Sequence, residues 1–316
     1  IGAKPNLNKI PQMSSADFIE VEKMLFENSF YDDRINADNK PALTPAIELL
    51  LSHKEGKISD SQLRFVSNDL KLVPKNAQIV LCMHIPLVHT TNSSALIEIL
   101  EGRGNVLALT GHMHQVERNF LHGQDVCVHE LVTGASCGFW WVGEKDWEGI
   151  PSALMQCGTP RNYFVFDFTE KDYSFRYKGI GMDASRQMNI WIAGIDSTDV
   201  YIDELRNKHQ GEMLVTVYGA SDSTIVRCRL DNGEWLLCEK KEELDVNVAR
   251  VRSWNQLKIY PTRFNRRNPF RRQFSPQIWG LQLPKECCEG VHLIAVEASD
   301  QWGFKASGER CFYYQR

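Results

Sequence analysis

The chain has 316 residues, which is enough for two domains that each bury a hydrophobic core. A charged content of 24% fits a soluble globular protein. The formal net charge of −4 gives no general attraction to nucleic acid or to anionic membranes, so we expect no nucleic-acid partner. No apolar run approaches the ~20 residues needed to cross a bilayer, and we expect no membrane span.

The sequence begins at Ile1 rather than at Met, and it shows no signal-peptide pattern. Export to the periplasm or the cell surface stays open if a preceding segment carries such a signal. The nine cysteines include no Cys-x-x-Cys pair, and we interpret most of them as small buried hydrophobic residues. The cellular compartment therefore stays unassigned.

The first predicted elements are helices. A capping box and an apolar stripe predict one helix over residues 14–27, and Thr44-Pro45 is a typical start for a second. Ser59 and Gln62 form another capping box, which predicts a third helix that ends before Pro74.

A βαβ unit follows these helices. Apolar runs at 79–83 and 106–109 predict two buried strands, and the segment between them, beginning near Asn92, predicts a helix. Strands joined by such a crossover are parallel, so their carboxyl ends should lie at the same edge of the sheet.

Both predicted strands end at histidines. His84 follows the first strand, and His112 and His114 follow the second. Histidines two apart in an extended segment point the same way, so we expect the three imidazoles to converge. Neutral imidazole is a common ligand of zinc and iron, and the arrangement therefore predicts a metal site.

The next segment reads as short strands and one long loop. The predicted strands cover residues 116–121, 126–132, 162–168 and 173–178. The loop over residues 134–160 carries Trp140 and Trp141, which would form either a substrate wall or ordinary core at the sheet edge. His122 and His129 flank a predicted hairpin, and we expect both to be exposed.

A break near residues 179–186 separates the last segment, which shows no long helical period. We predict a boundary between domains at 1–182 and 183–316, the second being an all-β sandwich. Its predicted strands cover residues 188–192, 212–218, 225–230, 234–238, 291–298 and 310–314. The basic run Arg263–Arg267 would form either a binding patch for a phosphate-rich polymer or an acidic surface, or a solvated loop, and the acidic net charge elsewhere favours the loop.

Four stretches together carry a family resemblance. They are His84–Pro86, Gly111–His114, Gly158–Tyr163 and Phe175–Gly179. In these stretches the chain resembles the calcineurin-like metallophosphoesterases, and within them a bacterial subfamily that has a C-terminal β-sandwich domain. The resemblance covers roughly residues 59–316.

The resemblance implies an α/β fold, the second half of a four-layer α/β/β/α sandwich, followed by an all-β sandwich. It implies a phosphoric ester hydrolase with two divalent metals, iron, manganese or zinc, and a metal-activated hydroxide that attacks phosphorus. His84 and His112 would bind one metal and His114 the other. A phosphate ester would be the substrate, with His89, Trp140 and Trp141 as candidate contacts, while no catalytic acid or base is identified.

The sequence departs from the family in its early motifs. Asp-x-His, Gly-Asp-x-x-Asp and Gly-Asn-His-Asp/Glu do not occur, so the carboxylates and asparagine that complete the metal site in the family have no counterpart here. The chain is therefore a fragment of a longer enzyme, a degenerate member of the family, or a superficial match.

Two functional hypotheses follow. The first is a metal-dependent phosphoesterase. The second is a non-catalytic two-domain binding or structural protein that keeps three metal-type histidines. If half of the sandwich is missing, exposed sheet would favour association with a partner chain or with a second copy.

Overall fold

The computed structural model describes residues 56–138, 153–169, 172–257, 270–284 and 289–314, which form a mixed α/β structure made mostly of sheet. The helices are α1 (Asp60–Leu70), α2 (Ser93–Ile99), α3 (Asp203–Lys208) and α4 (Val246–Gln256). The strands are β1 (Ile79–Cys82), β2 (Val106–Thr110), β3 (Val116–His122), β4 (Cys127–Thr133), β5 (Asn162–Phe168), β6 (Tyr173–Gly179), β7 (Met188–Ile192), β8 (Glu212–Val217), β9 (Ile225–Leu230), β10 (Leu236–Leu237), β11 (Glu239–Lys240), β12 (Ile278–Gln282), β13 (Gly290–Ser299) and β14 (Lys305–Tyr314).

Helix α1 begins as the sequence predicts. The Ser59 hydroxyl accepts a hydrogen bond from the Gln62 backbone, and the Gln62 side chain accepts one from the Ser59 backbone. Asn92 stands at the start of α2 but does not cap it, because its side chain bonds both the amide and the carbonyl of Ile58. That pair of bonds holds the segment before α1 against α2.

The predicted βαβ unit is confirmed. The first sheet has the order β1-β2-β4-β3, with β1 parallel to β2 in a register that pairs Ile79 with Val106 and Cys82 with Leu109. Strand β4 is also parallel to β2, whereas β3 is antiparallel to β4. Among the described residues, strand β1 forms one edge of this sheet, and the predicted association through exposed sheet stays a prediction.

His129 is buried, which contradicts the sequence-based expectation, whereas His122 is exposed as predicted. The reason is that aromatic rings from later in the chain, those of Tyr173, Phe175 and Trp302, pack against the imidazole. The hairpin itself was predicted correctly, but a hairpin alone does not reveal which neighbours cover its faces.

The later chain forms three more sheets. Strands β5 and β6 pair as a hairpin, and the other two sheets have the orders β10-β9-β13-β14 and β11-β12-β8-β7. Most predicted strands are confirmed, but β12 was missed, and the last strand begins at Lys305 rather than near Arg310. The sandwich layering stays a prediction.

The expectation that the last segment is entirely β is wrong, because α4 spans 11 residues. Asp245 begins this helix, and its carboxylate accepts hydrogen bonds from the backbone of Asn247 and Val248. Val246, Val248 and Val251 of α4 are buried. Valine favours strands when it is considered alone, and the packing of this face against neighbouring residues overrides that preference.

One buried cluster joins the early and late parts of the chain. It contains Leu107, Val116 and Leu131 from the first sheet together with Met213 and Ile294 from the later sheets. Residues on both sides of position 182 therefore contribute side chains to one packed cluster. The predicted domain boundary at residue 182 stays a prediction. Within the described ranges, no helix has the length and apolar character needed to cross a membrane.

Several sequence-based expectations lie outside the described residues. These are the two helices predicted before residue 56, the tryptophans Trp140 and Trp141, and the basic run Arg263–Arg267.

A buried ion pair connects the first sheet to the turn after β13. Arg118 donates to Asp300 over 2.6 Å, and both side chains are 0% exposed. Thr224 also donates to Asp300, over 2.9 Å, and the guanidinium lies 5.0 Å from the ring centre of Phe175. The hydrogen bonds and charge of Arg118 hold the pKa of Asp300 below its usual value although burial acts to raise it.

The same arginine sets the protonation of His129. Arg118 Nε donates to His129 Nε2 over 2.9 Å, so the proton of the neutral ring lies on Nδ1, which is 2.5 Å from the Tyr173 hydroxyl. Burial, and then the charge of Arg118, lower the pKa of His129 to about 3, while Asp300 acts in the opposite direction. His129 is therefore neutral at physiological pH.

We expect Asp300→Ala to lower the free energy of unfolding by roughly 3–5 kcal/mol, because it leaves a buried guanidinium without its partner. Urea unfolding measures the change. Asp167→Ala is a matched control, since it breaks a pair with Arg176 in which both side chains are more than half exposed. That control should cost less than ~1 kcal/mol. Equal losses in the two variants would contradict the role of the buried pair.

We also expect stability to fall as the pH drops below the ordinary His129 pKa of 6.5 toward about 3. In this pH range the unfolded chain takes up a proton at His129 that the folded chain excludes. The contribution of His129 to the free energy of unfolding is therefore fully present above pH 6.5 and is lost as the pH falls toward about 3. Urea unfolding at about pH 7.5 and about pH 5 measures the loss, and His129→Gln should reduce it. If the His129→Gln variant lost as much stability between these two pH values, His129 would not be the group responsible.

Candidate functional site

Two of the three predicted ligands lie side by side. His84 Nε2 is 3.1 Å from His112 Nδ1, and the two rings meet edge to face with their centres 5.1 Å apart. The parallel pairing of β1 and β2 brings them together, and it continues past the strands, because the Gly111 amide donates to the His84 carbonyl over 3.0 Å. The predicted convergence of His84 and His112 is confirmed.

The backbone at the second motif is left-handed. His112 has φ 63° and His114 has φ 50°, so the expectation of an extended segment here is wrong. A left-handed conformation costs a non-glycine residue roughly 1–2 kcal/mol. Such conformations persist where the surrounding structure enforces them, and they often occur at functional sites.

His114 is oriented by the loop that follows β4. Its Nδ1 lies 3.1 Å from the Gly138 carbonyl and 3.7 Å from the Cys137 sulfur. A hydrogen bond to a carbonyl places the proton of a neutral ring on Nδ1 and the lone pair on Nε2. Metal-binding histidines commonly have such a bond at the second ring nitrogen.

Burial and neighbouring histidines lower the pKa of His112 and of His114. Burial of part of the ring lowers the pKa of His112, and His84, His114 and His89 lower it further. Burial also lowers the pKa of His114, although its bond to Gly138 acts in the opposite direction. Neutral imidazole is the form that binds metal, so these shifts favour the metal-binding form of His112 and His114.

His89 lies next to this cluster. It ends the short 3-10 helix Leu87–His89, and its charge acts on both His112 and Glu117. Burial raises the pKa of the Glu117 carboxyl, and His89 counteracts part of that change. A role of His89 in substrate binding stays a prediction.

Glu130 supports the turn after β1, and sequence reasoning did not single it out. Its carboxylate accepts from the Leu87 amide and, over 3.0 Å, from the Asn119 side chain. Leu87 lies three residues after His84, so these bonds position the loop that carries that histidine. The signal was present in the sequence, since a glutamate in the middle of an apolar strand needs buried partners.

The pair of histidines fits a metal ion in part. Two nitrogens that share one ion at a distance of ~2.1 Å lie roughly 2.9–3.4 Å apart, which includes the separation seen here. Across the described residues, however, no set of three or more histidines, cysteines or carboxylates is arranged to hold a metal ion. The described part of the chain supplies two suitable donors and not a complete set.

The comparison with known families concerns a different part of the chain. The model of the C terminal of calcineurin-like phosphoesterase matches residues 130–305, which is more than half of the sequence. The match begins within β4 and ends at the start of β14, so it includes none of His84, His112 and His114. No curated protein matches the chain significantly.

We expect His112→Gly to be more stable than His112→Ala by about 1 kcal/mol, because glycine adopts a positive φ without steric cost. Urea unfolding with a chelator present measures the difference, since neither variant carries the imidazole. The matched control is His122, an exposed residue at the end of β3, where alanine should be the more stable. If the alanine variant were more stable than the glycine variant at both positions, the left-handed backbone at His112 would be contradicted.

Proposed function

The chain belongs to the calcineurin-like phosphoesterases, and on that basis we propose that it hydrolyses phosphate esters with the help of divalent metal ions. The observation that carries this proposal is the contact between His84 and His112 at the ends of two parallel strands. The family match lies outside these histidines, so the two lines of support are independent of each other.

In this proposal His84 and His112 hold one ion, and His114 holds a second. A bound divalent cation supplies charge stabilisation for phosphoryl oxygens and a nucleophile at neutral pH. The protein's part is to fix the ligands, through the Gly138 carbonyl at His114 and through Glu130 at the turn after β1. His89, Trp140 and Trp141 are proposed to contact the substrate.

A non-catalytic binding protein is the second candidate. One observation favours it, which is that the described residues complete no metal-binding set around the two histidines. The early carboxylate motifs of the family are also absent from the sequence. In this case the imidazoles would hold one weakly bound metal ion or none.

Metal content and turnover separate the two candidates. The purified chain should retain at least one transition metal and hydrolyse 4-nitrophenyl phosphate. His112→Ala should lower kcat/KM by at least ~100-fold, because loss of an outer-shell partner alone costs up to about that factor in metal-dependent activity. Metal analysis by mass spectrometry and a colorimetric assay give the two readings.

His122→Ala is the matched control, since His122 lies at the far end of β3, roughly 20 Å along the strand from the histidine cluster. It should leave both readings unchanged. The non-catalytic binding protein would be favoured by two results together. The chain would hold less than one metal ion, and it would show no turnover that is lost in His112→Ala.

A further inference from the structure

A small pocket lies at the start of β3, the strand that follows the histidine motif Gly111–His114. It has a volume of about 250 Å³ and lies between β3 and two later loops, 220–222 and 273–276. Its wall includes Gln115, the residue after His114, and Glu117, whose carboxyl interacts with His89. The pocket therefore combines residues of the first sheet with residues from the last third of the chain.

The lining is polar but offers no unpaired cation among the described residues. The guanidinium of Arg118 is held by Asp300, and the Asp222 carboxylate is paired with Lys240 over 2.8 Å. Amide and hydroxyl side chains make up most of the remaining polar surface, with Asn119 and Ser221 among them. A second phosphate group would find no positive charge here to offset its own.

The walls of the pocket are fixed by hydrogen bonds. The Gln156 amide bonds both the backbone amide and the carbonyl of Arg271, and Ser275 donates to the Cys157 carbonyl over 2.7 Å. Gln277 donates to the Val116 carbonyl at the start of β3 over 3.2 Å. These bonds hold the 271–277 segment against the first sheet, so the pocket is formed before a ligand arrives.

One aromatic residue marks the rim. Phe274 is 55% exposed although it lines the pocket, and its neighbour Gln273 is also exposed. An exposed aromatic ring next to amide groups is suited to a sugar ring, which packs its C–H face on the aromatic and bonds its hydroxyls to the amides. The volume lies below the ~300–1,000 Å³ typical of sites for drug-sized ligands, which favours a single ring.

We propose that this pocket binds the leaving group of the substrate, and that this group is a small uncharged polyol such as one sugar ring. The inference rests on the proposed function, because the phosphate of such an ester would face the histidine cluster. In this proposal the loops 220–222 and 273–276, from the last third of the chain, take part in selecting the substrate.

The kinetic test uses Gln273→Ala/Phe274→Ala, with glucose 6-phosphate and methyl phosphate as substrates. We expect kcat/KM to fall about 10-fold for the sugar ester and less than about 3-fold for methyl phosphate, whose leaving group has no ring to pack on Phe274. Phe65→Ala is the matched control, since Phe65 is also 55% exposed and lies on α1 away from the pocket.

A binding measurement keeps the pocket testable without catalysis. Saturation-transfer NMR with glucose 6-phosphate and a chelator should show contacts to the ring protons that disappear in the double variant. Such contacts without any hydrolysis would contradict the proposed function and support the pocket. Hydrolysis of 4-nitrophenyl phosphate with no ring contacts from glucose 6-phosphate, or equal kinetic losses for glucose 6-phosphate and methyl phosphate, would overturn the pocket and leave the proposed function standing.

Discussion

The buried pair of Arg118 and Asp300 is the constraint on which much of the fold depends. The two residues are 182 positions apart, and neither side chain is reached by solvent. A charge in that position must be matched, so β3 and the turn after β13 have to assemble together. Arg118 also fixes the ring of His129 and lies against Phe175, so one guanidinium joins three segments. Arg118 also lines the pocket at the start of β3.

Local patterns were sufficient for the part of the fold that places the histidines. Two short apolar runs separated by a helix specify parallel strands, and parallel strands end at one edge. The contact between His84 and His112 followed from that reasoning without any knowledge of later contacts. The family match over 130–305 then confirmed the family that the motifs suggested.

Tertiary contacts decided the features that the sequence did not reveal. His129 is buried because the rings of Tyr173, Phe175 and Trp302 pack against it, and the sequence of β4 alone does not contain that information. Helix α4 was not predicted, because its valines and its tryptophan have low helix propensity, although Asp245 was a readable helix start. The left-handed backbone at His112 and His114 arises from the turn itself, where an alternating pattern would wrongly suggest extension.

The position of Glu130 has a consequence for how such chains can be divided. The family match begins at this residue, yet its carboxylate holds the loop that follows β1, which lies outside the match. A graft that moved residues 130–305 onto another protein would remove a structural support from the donor's histidine turn. It would also bring Asp300 without the arginine that neutralises it. The matched segment is a unit of sequence recognition, but in three dimensions it is not a separable part.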